Sequence, residues 1–306
     1  MSQLPKDFPA APAGDFVLPF DIAKAGVRGR LVRLDAVSAR ALEAHRLPEP
    51  AARVAGETLA LAALLGSALK LDGRLTVQSK SDGPLDLVTA DYYGVANGKP
   101  RGVRGLARLD QARGAGDGGF AALAGKGAMA ITIEPNLGAN TYQGIVELSE
   151  AGIAASAETY FAQSEQLPTV IRLAAAPLYL AGEKTPRWRA GGLMLQMTPK
   201  EAGAARHEDD WNRLSLLLKT VEDLELVDIS LPAETILWRL FHEDEVRVQP
   251  AEPIAFRCDC DGARIATILR GYTDQERAGL ADSDGVIRAR CEFCGATHEI
   301  PPDSLA

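Results

Sequence analysis

Two closely spaced cysteine pairs near the end of the chain are the residues best suited to chemistry. Cys258 and Cys260 are one residue apart in FRCDCDGAR, and after thirty intervening residues Cys291 and Cys294 follow in RCEFCGATHE. They are the four cysteines of the chain. Closely spaced thiolates on two turns are typical ligands of Zn²⁺ in tetrahedral sites, with Zn–S distances of about 2.3 Å. The spacing therefore predicts one zinc site formed by all four thiolates.

The spacing leaves two roles open for such a site. A zinc ion with four cysteine ligands is most often structural and merely holds a small module together. Structural knuckles usually keep two residues between ligands, however, whereas thiolates one residue apart can oxidise to a small, strained and readily reduced disulfide. Oxidation would remove ligands in pairs, release zinc and unfold a module with little core of its own. The Cys-x-Cys spacing favours such a redox switch over a purely structural site.

The segment between the pairs can bring them together. GARIATILRGY predicts a helix and GVIRARCEF a strand-like return, and Gly295 permits a tight turn after the second pair. We do not expect His298 to be a ligand, because four thiolates already complete the tetrahedron. The other histidines form no HExxH pattern and are predicted to be surface or capping residues: His45, His207 and His242.

A large N-terminal part, residues 1–199, predicts an α+β core. An Ala- and Leu-rich stretch from Leu47 to Leu71 predicts a buried helix, and alternating segments after it, separated by Asp-Gly and Asn-Gly turns, predict antiparallel strands. Residues Ser149 to Thr169 predict another helix that Pro168 ends, followed by a further pair of strands. Pro199 closes this core, and residues 1–16 are expected to form a flexible tail.

Residues 200–250 predict a helical linker. Asp209 or Asp210 is a plausible N-cap for an amphipathic helix whose apolar residues recur at helical spacing, namely Trp211, Leu214, Leu218 and Val221. A second, shorter helix ends in an acidic cluster before Pro250. Amphipathicity alone does not separate a permanently packed helix from one that detaches and exposes its apolar face. Residues 251–306 then form the small cysteine-containing domain.

The length, charge and motifs of the chain argue against several other classes of function. The chain has 306 residues, a formal net charge of −8 and no apolar run that approaches the roughly 20 residues of a membrane span. The N-terminus lacks a signal-peptide pattern, so we expect a cytoplasmic protein without membrane partners. Residues 251–306 carry ten acidic and six basic side chains, which argues against a zinc ribbon that binds nucleic acid. No nucleotide-binding motif or catalytic triad is present, so we do not expect an enzyme.

A thiol-disulfide oxidoreductase that turns over at Cys291 and Cys294 is the alternative from another class. The Cys-x-x-Cys of this chain follows a strand-like segment, however, and lacks the helix N-terminus that lowers a thiol pKa in thioredoxin-like enzymes. This placement argues against catalytic turnover.

The Cys-x-Cys, thirty residues, Cys-x-x-Cys arrangement resembles the 33-kDa heat-shock protein family of redox-regulated bacterial chaperones. The resemblance extends over most of the chain, through LKLDGRLTVQSKSDGPLDL, RGVRGLARL, AITIEP, YQGIVEL, YFAQSEQLPT, AGGLMLQ and ILWRLFHEDEV in the family's order. It departs from the family pattern after each cysteine pair, at DGAR and GATHEI, and none of these departures touches a cysteine.

The resemblance implies an ATP-independent holding chaperone with a metastable linker at residues 200–250. In the reduced state, one Zn²⁺ would be bound by Cys258, Cys260, Cys291 and Cys294, and the protein would be inactive. Oxidation would form the disulfides Cys258–Cys260 and Cys291–Cys294, release zinc and unfold the linker. The exposed apolar surface would then bind unfolding client proteins, and the oxidised form would dimerise.

Overall fold

Two six-stranded sheets and a small C-terminal ribbon form the framework of the protein. The computed structural model describes residues 14–69, 71–96, 98–114, 119–136, 140–179, 181–183, 185–198, 208–301 and 305. Helices lie between and beside the sheets, so the α+β class predicted from the sequence is confirmed.

The first sheet is antiparallel throughout and pairs the first described strand with residues 247–248 and 252–253. Its order is β10-β1-β2-β9-β8, and β11 also pairs with β1. The strands are β1 (Phe16–Ile22), β2 (Val27–Leu34), β8 (Thr169–Leu178), β9 (Arg187–Met197), β10 (Arg247–Val248) and β11 (Glu252–Pro253). Nearly every residue of β1 is buried, because helices cover both faces of this sheet.

The second sheet carries the turn-rich middle of the sequence. Its order is β12-β5-β4-β3-β6-β7, and all neighbours are antiparallel except β12, which runs parallel to β5. The strands are β3 (Gly73–Ser81), β4 (Leu85–Tyr93), β5 (Gly102–Leu109), β6 (Gly127–Pro135), β7 (Tyr142–Glu147) and β12 (Ala255–Phe256). Alternate residues of β3, among them Leu75 and Val77, are buried, as expected for a sheet with one face on the core.

A long central helix fills the space between the sheets. Helix α2 (Glu49–Ala68) packs against strands of both sheets in one apolar cluster. Contrary to the sequence expectation, this helix is long and apolar enough to cross a membrane by length and composition. Of its most apolar 18-residue window, however, 83% is buried inside the protein. It is the core helix predicted from the Ala- and Leu-rich stretch.

Shorter helices complete the core. They are α1 (Ala36–Glu43), α3 (Gly119–Ala124) and α4 (Ile153–Tyr160), with 3-10 turns at Ala23–Ala25 and Gln111–Arg113. Helix α4 continues as a π-helical turn, Phe161–Glu165, and ends at Gln166, which has a φ of 53°. The chain therefore leaves the predicted helix two residues before Pro168.

Three helices of the predicted linker cover the outer face of the first sheet. They are α5 (Glu208–Lys219), α6 (Asp223–Val227) and α7 (Ala233–Phe241), and a 3-10 turn, His242–Asp244, follows. Their apolar residues form a second cluster with the side chains of β1, β2, β8 and β9 that face away from α2. The amphipathic pattern is confirmed, but Val221 is buried just beyond the end of α5.

The predicted N-cap of the linker helix was wrong. Asp209 and Asp210 both lie within the first turn of α5, where their carboxylates interact favourably with the positive end of the helix dipole. Pro199, His207 and residues 1–13 of the predicted tail lie outside the described residues.

The last part of the chain forms a small module beside the second sheet. It contains α8 (Gly262–Leu269), α9 (Asp274–Leu280) and an antiparallel ribbon of β13 (Ile287–Arg290) and β14 (Thr297–Ile300). Its buried apolar cluster has five members: Ala266, Leu269, Ile287, Ile300 and Leu305. The helix and strand predicted between the cysteine pairs are both present, whereas α9 was not predicted.

Candidate metal centre

The four cysteine sulfurs converge at the base of the C-terminal module. Their Sγ atoms all lie within 4.8 Å of one another, and within the described part of the chain they are the group of ligand-type side chains placed to hold a metal ion. The Sγ atoms of Cys258 and Cys291 are 3.7 Å apart, and those of Cys260 and Cys294 are 3.4 Å apart. A tetrahedron with Zn–S bonds of about 2.3 Å has S–S edges of about 3.8 Å. Four soft donors at this spacing fit a zinc ion.

Local backbone structure places each pair. Cys258 and Cys260 follow the short strand β12, and Asp261 then caps α8 by accepting a hydrogen bond from the Ala263 N–H. Cys291 and Cys294 lie in the turn between β13 and β14. The Cys-x-x-Cys thus follows a strand and not a helix N-terminus, as predicted.

The second turn depends on Gly295. The Gly295 N–H donates to the Cys291 carbonyl at 2.9 Å, and the Cys291 N–H donates to the Ala296 carbonyl at 2.8 Å. Gly295 has a φ of +72°, in the left-handed region that favours glycine. The tight return expected from the sequence is confirmed.

The thiols differ in their proton affinity. Burial is the largest cause that raises the pKa of Cys258 and of Cys260, and contacts with the neighbouring thiols raise the pKa of Cys260 further. Burial also acts on Cys291, but hydrogen bonds from the backbone N–H groups of Cys294 and Phe293 outweigh it and lower the pKa of that thiol. A bound metal would deprotonate all of its coordinating thiols.

An arginine of the core sheet contacts the centre directly. Arg104 on β5 donates from Nη1 to Cys258 Sγ at 3.8 Å, and its guanidinium carbon lies 3.9 Å from the centroid of the Phe293 ring. Its Nε donates to Asp91 Oδ2 at 2.8 Å. Burial alone would lower the pKa of Arg104, but the charge of Asp91 and its hydrogen bond raise it. The guanidinium therefore stays positively charged.

Other basic side chains attach the module to the core. Arg257 donates to the Gly94 carbonyl at 3.1 Å and to Asp259 Oδ2 at 3.2 Å, and it stacks over the Tyr93 ring at 4.8 Å. Lys99 pairs with the other oxygen of Asp259 at 2.6 Å. From the end of β13, just before the second cysteine turn, Arg290 donates to the Ala44 carbonyl at 2.7 Å. Contacts with β4, β5 and the end of α1 thus surround the cysteine cluster.

The three histidines within the described residues lie outside the cysteine group. His298 is on β14 opposite Ala289 and is not among the converging ligand atoms. His242 is exposed at the end of α7, with Nδ1 3.1 Å from the Trp238 carbonyl, which confirms the capping role. His45 corrects the expectation of a surface or capping residue, because it is half-buried with Nε2 3.3 Å from the Gly105 carbonyl.

Sequence reasoning placed the cysteines but missed their neighbours in the core. Arg104 is 154 residues from Cys258 along the chain, and Asp91 lies on a different strand. Both belong to ordinary strand patterns, so no local signal distinguishes them. Only the pairing of β12 with β5 brings them to the centre.

Comparison with known proteins gives a consistent result over nearly the whole chain. The model of the family described as Hsp33 protein matches residues 15–301. The 33 kDa chaperonin of Caulobacter vibrioides is 36% identical over 294 residues, which cover 94% of this chain and 95% of that protein. The 33 kDa chaperonin of Cronobacter sakazakii is 38% identical over 275 residues, which cover 90% and 87%.

A solved structure supports the same fold. The crystal structure of a 33 kDa chaperonin from Thermotoga maritima aligns with a TM-score of 0.76 and covers 95% of this chain and 96% of that chain. The two sequences are 21% identical. This similarity extends from the core sheets through the C-terminal module.

Proposed function

Because this chain belongs to the Hsp33 protein family, and is therefore a chaperone and not an enzyme, we propose that it is a redox-regulated, ATP-independent holding chaperone. In the reduced state, one Zn²⁺ is bound by Cys258, Cys260, Cys291 and Cys294, and client binding is switched off. Oxidation switches it on. The convergence of the four sulfurs within 4.8 Å is the observation that carries this proposal.

The chemical step is the oxidation of the zinc ligands. We propose the pairs Cys258–Cys260 and Cys291–Cys294, whose members are neighbours along the chain. Each pair of thiolates gives two electrons to one peroxide molecule, which takes up two protons and becomes two molecules of water while an S–S bond forms. The S–S bond is about 2.05 Å long, so the sulfurs must leave their tetrahedral arrangement. A disulfide sulfur is a poor zinc ligand, and the metal is released.

Loss of zinc is transmitted through the segment between the linker and the centre. The module has a small apolar cluster, so metal binding supplies much of its folding free energy. Residues 247–256 connect α7 to the first cysteine pair through β10, β11 and β12, which pair with both core sheets. When the module unfolds, this connection loses its C-terminal support, and we propose that linker residues 200–250 detach as a metastable unit.

Detachment would expose two apolar surfaces at once. The inner faces of α5 and α7 and the outer face of the first sheet bury one another in the described structure. Exposed apolar surface of this extent binds other proteins. We propose that it binds unfolding clients under oxidative stress in the cytoplasm, and that oxidised chains also associate as homodimers.

The test measures zinc release, helix content and client aggregation in the same samples. Reduced protein is treated with peroxide at raised temperature while a chromophoric chelator reports zinc, circular dichroism reports helix, and light scattering reports a thermally unfolding client. We expect zinc release, loss of helix and suppression of scattering to occur together. The variant Cys291→Ser should uncouple them from the oxidant. Equal suppression of scattering by reduced and oxidised protein would contradict the proposal.

A further inference from the structure

One half-buried arginine of the core contacts both halves of the cysteine centre. The Arg104 side chain is 13% exposed and forms an ion pair with Asp91, whose side chain is 4% exposed. The second Asp91 oxygen accepts a hydrogen bond from Thr76 Oγ1 at 2.6 Å. Asp91 is therefore fixed by β3 and β5 together, and it fixes the direction of the Arg104 guanidinium.

The Arg104 guanidinium uses Nε to bind Asp91, and its Nη1 faces the C-terminal module. Its Nη1 donates to Cys258 of the first pair, and its guanidinium carbon lies over the ring of Phe293, 3.9 Å from the ring centroid. Phe293 lies between the two cysteines of the second pair in the sequence. The hydrogen-bond acceptor Cys258 and the ring of Phe293 are 35 residues apart along the chain. Arg104 thus touches both turns that supply the sulfurs, from one fixed point on β5.

The charge of the proposed centre explains why a cation belongs there. Four thiolates and one Zn²⁺ have a net charge of −2, and hydrogen bonds to coordinating atoms orient the ligands and tune the metal. Arg104 brings a positive charge and an N–H donor to a sulfur. Its planar guanidinium also stacks on an aromatic ring, which a lysine ammonium does less well. The neighbouring Arg257 instead directs its donors to two backbone carbonyls and Asp259.

We propose that Arg104 is a positioning residue for the zinc–thiolate centre and the contact through which the core sheet detects its oxidation. It holds the two cysteine turns in one relative orientation and stabilises the metal-bound thiolate of Cys258. When Cys258 enters a disulfide, its sulfur ceases to be an anionic acceptor, and the module loses this attachment to β5. This inference rests on the proposed function and identifies Arg104 as the residue that sets how readily oxidation releases zinc.

The test compares Arg104→Gln with Arg108→Gln. Arg108 is on the same strand, but its side chain is exposed and pairs with Asp86 at the surface. We expect chelator competition under reducing conditions to show a loss of zinc affinity of about 10–100-fold for Arg104→Gln, the range seen when such supporting contacts to metal ligands are removed. Peroxide should also release zinc faster from this variant. Arg108→Gln should match the wild type in both measurements.

A spectroscopic measurement separates positioning from general destabilisation. With Co²⁺ alone as the probe, the thiolate-to-cobalt charge-transfer band should shift in Arg104→Gln and stay unchanged in Arg108→Gln. Arg104→Lys keeps the charge but loses the planar contact, so it should recover part of the zinc affinity. Far-UV circular dichroism and thermal melting establish that the core of each variant is folded.

A variant at Phe293 tests the same contact from the C-terminal module, without altering any residue of the core sheets. Phe293→Leu should weaken zinc binding in the same direction, whereas the exposed neighbour Glu292→Gln should not. The double variant Arg104→Gln/Phe293→Leu should be less affected than the two single effects predict, because the residues share one contact.

The outcomes distinguish this inference from the proposed function. If the wild type binds one zinc and releases it on oxidation, but Arg104→Gln and Phe293→Leu behave like their controls, Arg104 has no positioning role and the redox switch stands. If the wild type binds no zinc at all, both proposals fail.

Discussion

At the scale of single residues, the centre depends on a few positions whose conformation or burial is unusual. Gly295 adopts a left-handed backbone conformation in the second cysteine turn. A Cβ atom at this position would lie 3.1 Å from Arg290 Nη2 and 3.3 Å from the Ala44 Cβ. The glycine therefore permits both the turn and the close approach of the module to the end of α1.

The first prediction concerns this glycine. Gly295→Ala should weaken zinc binding and destabilise the module by about 1–2 kcal/mol, because a left-handed conformation costs that much for a residue with a Cβ. Chelator competition and thermal melting measure the effect. Gly279→Ala, in α9 with open space around it, is the matched control and should be neutral or slightly stabilising. Equal behaviour of the two variants would show that the turn tolerates a side chain.

A half-buried carboxyl group on the central helix gives the stability of the protein a pH dependence. Burial raises the pKa of Glu57 from its usual 4.5 to about 7, although Arg53 acts in the opposite direction. In the unfolded chain this carboxyl ionises near its usual pKa, whereas in the folded protein it stays protonated to a higher pH. Its contribution to stability is therefore full below pH 4.5 and is lost as the pH rises to about 7.

The second prediction is that Glu57→Gln removes this pH dependence. At pH 8 the variant should be more stable than the wild type by up to about 3 kcal/mol, since one pKa unit corresponds to about 1.4 kcal/mol. At pH 4.5 the two should be nearly equal. Urea unfolding at both pH values measures the difference, with the exposed Glu49→Gln of the same helix as control. A stability difference independent of pH would rule out this role for Glu57.

At the scale of elements, polar groups as well as apolar ones attach the linker helices to the first sheet. Arg33 of β2 is buried and donates to the carbonyls of Leu231 and Glu225 at 2.5 and 3.0 Å. Arg172 of β8 donates to the Val221 carbonyl at 3.1 Å. These arginines bind backbone carbonyls just after α5, in α6 and in the loop before α7. Carbonyls at such positions have no hydrogen-bond partner within a helix. The linker is thus held at its ends as well as along its apolar face.

The third prediction tests the apolar face of α5 with two leucines of one helix. Leu218 is 0% exposed and Leu216 is 65% exposed. Leu218→Ala should destabilise the docked linker by about 2–5 kcal/mol, whereas Leu216→Ala should have little effect. Hydrogen exchange of residues 208–241 measures this difference. If the linker is the regulatory element proposed above, reduced Leu218→Ala should already suppress client aggregation, and unchanged exchange would argue against it.

At the scale of the whole molecule, the core and the C-terminal module differ greatly in the apolar surface that stabilises them. The clusters around α2 and beneath the linker contain most of the buried side chains, whereas the apolar cluster of the module has five buried members among the described residues. A unit with so small a core requires another source of folding free energy. Metal binding by the four cysteines is the source we propose.

The fourth prediction follows from this difference. Removal of zinc by a strong chelator under reducing conditions should abolish hydrogen-exchange protection in β13 and β14, while α2 and the strands around it stay protected. Addition of zinc should restore protection. Persistent protection of β13 and β14 in metal-free protein would mean that the module is stable without the metal.

The sequence by itself determined the features that depend on near neighbours along the chain. Cysteine spacing identified the cluster and its capacity to hold a metal ion, and periodicity identified α2, the turn-linked strands of the second sheet and the amphipathic α5. Gly295 could be assigned to the second turn because it directly follows the cysteine pair. Such patterns are informative because helical and strand periodicity act over a few residues.

Only the tertiary structure decided which distant groups meet. Strands β1 and β2, which the sequence analysis passed over, form the surface on which the linker helices pack. Arg33 and Arg104 look like ordinary strand residues in the sequence, yet one binds linker carbonyls and the other contacts a cysteine 154 residues away. Their roles come from sheet pairing and burial, which turn a solvated charge into a desolvated one with fixed partners. No local pattern encodes that change, because it depends on segments that the chain brings together only when it folds.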